Sequence, residues 1–176
     1  MLAGRCEKGG AQVARSLRGR PGSRFHLAVD ALGLPLAVEL SAGNAHEAQY
    51  LLPLIDRLRA AGRQPRELWA DRGYDSNALR AALAQRGIQP AISRRRRAGD
   101  PIPEGTPSRE IWHGRKRYRK VIDANARHRW PVERTNAWLH NWRRISIRWE
   151  RRPELYLALL QLACSMIIQR HLGWSF

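Results

Sequence analysis

The sequence predicts an α/β domain built on a mixed sheet. Two observations carry that expectation. Residues 25–29 and 34–40 alternate apolar and polar side chains around a short turn, as a half-buried hairpin does. After it, helical apolar spacing and short apolar runs take turns: helix, strand, helix, strand, then helices to the end.

Residues 1–24 are Gly-rich and lack sustained periodicity, which predicts an irregular basic arm. In the hairpin, Phe25, Leu27 and Val29 share one face, and Leu34, Leu36, Val38 and Leu40 answer them. Asp30 to Gly33 reads as the turn, with Asp30 a turn residue. Leu51, Leu52, Leu54, Ile55 and Leu58 keep helical spacing over 48–60. Pro53 implies a kink or a late start, and Gly62 a stop. Residues 67–70 and 89–92 are short strands. Between them Ser76 is placed to cap a helix over 77–86 that stops at Gly87. The stretch 93–120 is expected as a basic loop insertion. Pro131 suits the first position of a helix, which puts Glu133 in its first turn near the positive dipole end. Trp138 and Trp142 belong to the core or a domain seam. Pro153 opens a last helix to Leu172, with Leu155, Leu159, Leu162, Met166 and Leu172 as its apolar face and Gly173 beyond its end. The expected division is an arm over 1–24, one domain over 25–172 and a tail over 173–176.

The net charge of +17 points to an anionic partner. Between residues 90 and 152, 18 Arg and Lys stand against 6 Asp and Glu, so +12 of that charge lies there, almost all of it Arg. Arg forks onto phosphate and stacks on bases. Trp112, His113 and Tyr118 interleave with Arg and Lys, a pattern that suits nucleic acid and equally suits a solvated charge run. A membrane surface is disfavoured, because no basic amphipathic helix with a free apolar face is evident. Two cysteines, Cys6 and Cys164, make no disulfide framework or zinc spacing, and Cys164 reads as a core thiol. With no secretory signal evident, the expected location is the cytoplasm.

Two carboxylates stand out. Asp71 ends a predicted strand, where α/β sheets meet ligands, and Gly73 beside it permits close backbone approach. Glu133 is set among Arg127, Arg129, Arg134, Arg143 and Arg144. Each also has a plain structural reading, as a turn residue and as a helix-terminal acid. The pair, an acid at a strand end and an acid on a basic helix, is the stronger signal for a metal-dependent site on nucleic acid.

The runs Asp71-Arg72-Gly73-Tyr74-Asp75 and Arg129-Trp130-Pro131-Val132-Glu133-Arg134-Thr135-Asn136-Ala137-Trp138-Leu139 resemble bacterial insertion-sequence transposases of the DDE type, in the insertion-sequence-four and -five group. Residues 19–38 resemble that group's hairpin, and residues 43–47 the segment after it, although no role for Asn44 or His46 is legible. The resemblance implies a ribonuclease-H-like mixed sheet flanked by helices. It implies Asp71 as the second catalytic aspartate, Glu133 as the catalytic glutamate and both as metal ligands. Arg129 matches the Arg of the family's Y-x-x-R-x-x-x-E-x-x-x-x-x-x-K signature. Ala126 stands where the Tyr would be, and His140 where the Lys would be. The resemblance further implies two Mg²⁺ ions, double-stranded DNA as substrate, nicking and strand transfer at transposon ends, and a homodimer on DNA. The DNA-binding residues expected are Arg94, Arg95, Arg96, Arg97, Arg115, Lys116, Arg117, Arg129, Arg134, His140, Arg143 and Arg144. The family's first aspartate has no counterpart before Asp30, so the chain is expected to be a C-terminal part whose first strand is missing. It would be a truncated copy, or a second reading frame joined to an upstream product. The isolated chain is accordingly expected to bind DNA and cut it weakly or not at all. The alternative is a catalytically dead DNA-binding remnant or regulator of transposition. A generic RNA-binding protein is the third reading, and no motif supports it.

Overall fold

The computed structural model describes residues 3–6, 10–15, 21–94, 104, 108–113, 116–121 and 126–173, and of 3–6, 108–113, 116–121 and 126–127 only the backbone. The chain divides into two compact units, Met1–Pro65 with Trp130–Phe176, and Arg66–Arg129.

The first unit is organised by the expected hairpin, longer than the alternation indicated: β3 (Pro21–Val29) pairs antiparallel with β4 (Pro35–Ala42). Asp30 is the turn residue, its carboxylate accepting from the Leu32 and Leu34 amides at 2.9 and 2.8 Å. Part of the expected irregular arm is strand instead. β1 (Ala3–Cys6) runs antiparallel to β3, and β2 (Ala14–Arg15) also pairs with β3. Such short pairings are set by the sheet they join, so no periodicity announces them. The short β9 (Ile147–Arg148) adds parallel to β1.

The core lies on the predicted face of the hairpin. Phe25, Val38 and Leu40 pack with Leu139, Ile145, Tyr156, Leu160, Ala163, Cys164 and Ile167. Cys164 is the expected core thiol, and burial pushes it up to about 11. The long helix α5 (Pro153–His171) supplies half of this core, but through a face different from the expected one. Tyr156, Leu160, Ala163, Cys164 and Ile167 are buried, whereas Leu155, Leu162 and Leu172 are exposed. The helix is apolar on nearly every side, so spacing alone could not select the inward stripe.

The other face of the hairpin is also covered. A 3-10 turn, Glu47–Tyr50, leads into α1 (Leu51–Ala60), which makes Pro53 a late start. His46 caps the turn, its Nδ1 accepting from the Ala48 amide at 3.3 Å. Beneath it, His26 is 3% exposed, stacks on Tyr50 with ring centroids 4.4 Å apart, and meets Ser41 Oγ at 2.8 Å. Arg24–Glu47 and Arg57–Glu39 ion pairs flank it.

Burial, and then the nearby Arg24 charge, push His26 down from 6.5 to about 4. The folded state therefore holds fewer protons than the unfolded chain between those values. Stability is full above pH ~6.5 and falls as pH drops towards 4. The expected loss is ~2 kcal/mol between pH 7 and pH 5. Urea unfolding at the two pH values measures it, and in His26→Gln the His26 share should vanish. An unchanged pH dependence in that variant would refute the assignment.

In the second unit, β5 (Glu67–Ala70) and β6 (Gln89–Ile92) pair in parallel, joined through α2 (Asn77–Gln85). Ser76 is at the N-cap as expected, but its side chain makes no cap bond. Part of the expected basic loop is a hairpin of β7 (Ser108–His113) and β8 (Lys116–Val121). Arg and Lys crowd those strands, so no alternation of apolar and polar residues announced them.

The helix α3 (Ala126–His140) departs from expectation at its start. Pro131 lies inside it, not at its first position, and no acidic residue lies in its first turn. Residues 126–130 are too polar to show apolar spacing, so the proline looked like the beginning. Glu133 consequently sits about two turns in, beyond the reach of the helix-end dipole. A short α4 (Arg143–Ser146) follows.

Candidate active site and nucleic-acid-facing residues

Asp71 follows the last residue of β5, as the sequence indicates, and caps the 3-10 turn Arg72–Tyr74. Its Oδ1 accepts from the Arg72 amide at 2.5 Å and from Arg129 Nη1 at 2.8 Å. The carboxylate is 65% exposed, the guanidinium 18%. Beside that pair, the His128 ring stacks on Trp69 of β5 with centroids 3.8 Å apart. Two neighbouring residues of α3 thus clasp the end of β5 within one unit.

Asp75, four residues on, is structural. Arg80 reaches it through Nε and Nη2 at 2.9 and 2.8 Å and also donates to the Ile92 carbonyl at 2.5 Å. Arg94 donates to Asn77 at 2.7 Å and stands 3.8 Å from Asp75, so one expected phosphate ligand is braced over the start of α2.

In the first unit, Glu133 is exposed on α3 and has no hydrogen-bond or ion-pair partner among the described residues. Arg134 is held between Trp130 and Trp138, its guanidinium carbon 4.6 and 4.8 Å from the ring centroids, and donates to the Leu32 carbonyl. The two Trp are 56% and 39% exposed, so of the two places expected for Trp138, core or domain seam, the core is not where it lies. Trp142 does pack on the core. The i, i+4, i+8 spacing of Trp130, Arg134 and Trp138 was the available signal for this stack.

His140 does not present a cation. Its Nε2 is buried with no hydrogen-bond partner among the described residues, its ring packs 5.8 Å from Phe25, and burial lowers it from 6.5, which leaves it mainly neutral at pH 7. Arg143 is exposed, and Arg144 pairs with Glu150. Lys116 and Arg117 are described by backbone alone, in β8; Arg95, Arg96, Arg97 and Arg115 lie outside the described residues. Arg148, in the same Arg-rich stretch, is fully buried and structural.

Both candidate ligands are carboxylates, the hard oxygen donors that Mg²⁺ takes. Among the described residues, no group of three or more His, Cys, Asp or Glu gathers to hold a metal. No helix among the described residues is long and apolar enough to cross a membrane.

Residues 4–168 match the family described as the transposase DDE domain. The chain belongs to that family. Relatives agree. This DDE domain is 40% identical over 157 residues to a Burkholderia cepacia protein named as a transposase for insertion sequence element IS402. That alignment covers 85% of this chain and 64% of the relative. It is 30% identical over 97 residues to a Neisseria meningitidis serogroup B transposase for IS1106, covering 55% and 32%. It is 27% identical over 145 residues to a Brucella ovis protein named as a transposase for IS6501, covering 82% and 96%. The chain thus spans less than two thirds of the first two relatives. No solved structure matches it.

Proposed function

We propose that this DDE domain serves the transposition of an insertion sequence, contributing Asp71 and Glu133 as metal-binding carboxylates and an Arg-rich surface that holds double-stranded DNA. The fold this reading requires is ribonuclease-H-like. The observation that carries it is the placement of Asp71: an exposed carboxylate at the carboxyl end of a parallel strand, orientated by its own turn and by Arg129. When bound, two Mg²⁺ ions would activate a water or 3′-OH and stabilise the leaving oxygen, for nicking at transposon ends and strand transfer into target DNA. The chain's own share is to present the two carboxylates and to neutralise backbone phosphate with Arg143, Arg144 and the other basic residues of 90–152. The family role also implies a homodimer on DNA.

Binding should be strongly salt-dependent. If about five phosphates are neutralised, affinity falls ~100-fold or more between ~50 and ~200 mM salt. Fluorescence anisotropy with labelled transposon-end duplex measures this, and a flat salt response would count against the phosphate surface. The decisive assay is Mg²⁺-dependent nicking of the same duplex. Any nicking should be lost in both Glu133→Gln and Asp71→Asn while binding persists; nicking that survives either substitution overturns the assignment.

A second reading is that the chain acts as a C-terminal part, completed by an upstream reading-frame product, or as a DNA-binding regulator. End-specific binding without nicking in the same assay is its signature.

A further inference from the structure

We propose that Arg129 is a latch on the Asp71 carboxylate, competing with the metal for it and releasing it when the guanidinium is drawn to DNA phosphate. The inference rests on the metal role given to Asp71 above and adds a positioning residue to it.

The geometry is local to one unit. Arg129 Nη1 donates to Asp71 Oδ1 at 2.8 Å, and the same oxygen accepts the Arg72 amide at 2.5 Å. One oxygen thus carries both bonds, and a cation approaching it meets the positive charge of Arg129. The guanidinium is mostly covered, at 18% exposure, whereas the carboxylate is 65% exposed. The more exposed partner is the one that a solvent-borne ion reaches. The stack of His128 on Trp69 holds the adjoining backbone against β5, so Arg129 is presented to Asp71 by a braced segment. Arg forks bind carboxylate and phosphate with the same donors. A DNA phosphate offered to Arg129 therefore replaces the carboxylate with an equivalent acceptor, and Asp71 is freed for a hard cation. Metal and DNA then bind with positive coupling, and by linkage the coupling is reciprocal.

The test uses Mn²⁺ as the probe, titrated into the full chain and followed by the electron paramagnetic resonance of free ion. Wild type, Arg129→Gln, Arg129→Lys, Asp71→Asn and the Arg129→Gln/Asp71→Asn pair are compared, with Arg94→Gln as a control for loss of one charge. Circular dichroism confirms that each is folded. Removing the latch should tighten Mn²⁺ about two- to five-fold, the range of an ion pair so exposed. Arg94→Gln should do less, and the gain should disappear in the double variant. Arg129→Lys, which keeps the charge without the fork, should fall between wild type and Arg129→Gln. A saturating mixed-sequence duplex should tighten Mn²⁺ more in wild type than in Arg129→Gln. If Asp71→Asn weakens Mn²⁺ but Arg129→Gln does not tighten it, the latch is wrong and the metal role stands. If Asp71→Asn leaves Mn²⁺ binding unchanged, both fail.

Discussion

Replacing Arg148 with Met is expected to cost ~3–5 kcal/mol of stability, although the two side chains are both long and unbranched. Arg148 is fully buried and meets no carboxylate among the acceptors that hold it. Its guanidinium donates to the carbonyls of Glu150, Ala11 and Arg151 at 2.8, 3.0 and 3.2 Å and to Ser23 Oγ. The Tyr156 ring lies 5.4 Å away, a cation–π partner that is itself pinned by its hydroxyl to the Ile145 carbonyl at 2.6 Å. Methionine fills much of the space but leaves these oxygens without donors, and each buried orphan costs about 1–3 kcal/mol before water repairs some. Lysine is no remedy, since one ammonium cannot reproduce the fork. The contacts also tie residues 10–15 to the start of α5, where Gly10 passes so close that an added Cβ would stand 2.4 Å from the Arg151 carbonyl oxygen. Urea unfolding of Arg148→Met and Arg148→Lys measures the effect. A loss below ~1 kcal/mol in both would mean that the cluster is readily rehydrated and is no keystone.

Gly33→Val is expected to cost ~2–4 kcal/mol and to loosen the hairpin turn from α3. Gly33 has φ +81, which an L side chain adopts only with strain, and a β-branched one least readily. The position is crowded as well. An added Cβ would lie 2.8 Å from Arg134 Nη2 and 3.1 Å from both the Pro131 carbonyl oxygen and Thr135 Oγ1. Those atoms make the docking contacts: buried Thr135 donates to the Gly33 carbonyl at 2.5 Å, and Arg134 to that of Leu32. The turn and the α3 segment that bears Glu133 are therefore one packed assembly. Gly33→Ala, which adds only the Cβ, should cost less than Gly33→Val, and Thr135→Val should share part of the loss by removing the same bond. Thermal unfolding ranks the three. A neutral Gly33→Val would mean that the turn is not seated on α3 in solution.

Much of this protein was settled by sequence alone. The hairpin, its Asp30 turn, the β5–α2–β6 alternation, the glycine stops at 62, 87 and 173 and the place of Asp71 at a strand end all follow from rules that act within a few residues. Period-two burial, side-chain bonds to the next amide, and positive φ at Gly are of this kind. The family was legible for a related reason, since its two motifs are short contiguous runs. What tertiary structure decided depends on contacts between residues far apart in the chain. Arg148 and Arg143 look alike in sequence, yet one is buried under backbone carbonyls and the other is exposed, because only β9 places its residue beside Ser23 and Ala11. α5 could turn any of several apolar stripes inward, and the hairpin selected Tyr156, Leu160 and Ile167. His140 and Arg129 both read as cations for phosphate. Packing against Phe25 left the first neutral, and the end of β5 gave the second a carboxylate to hold. Charge is written in the sequence, but whether it is presented to solvent, paired or removed by burial is settled only when distant segments pack.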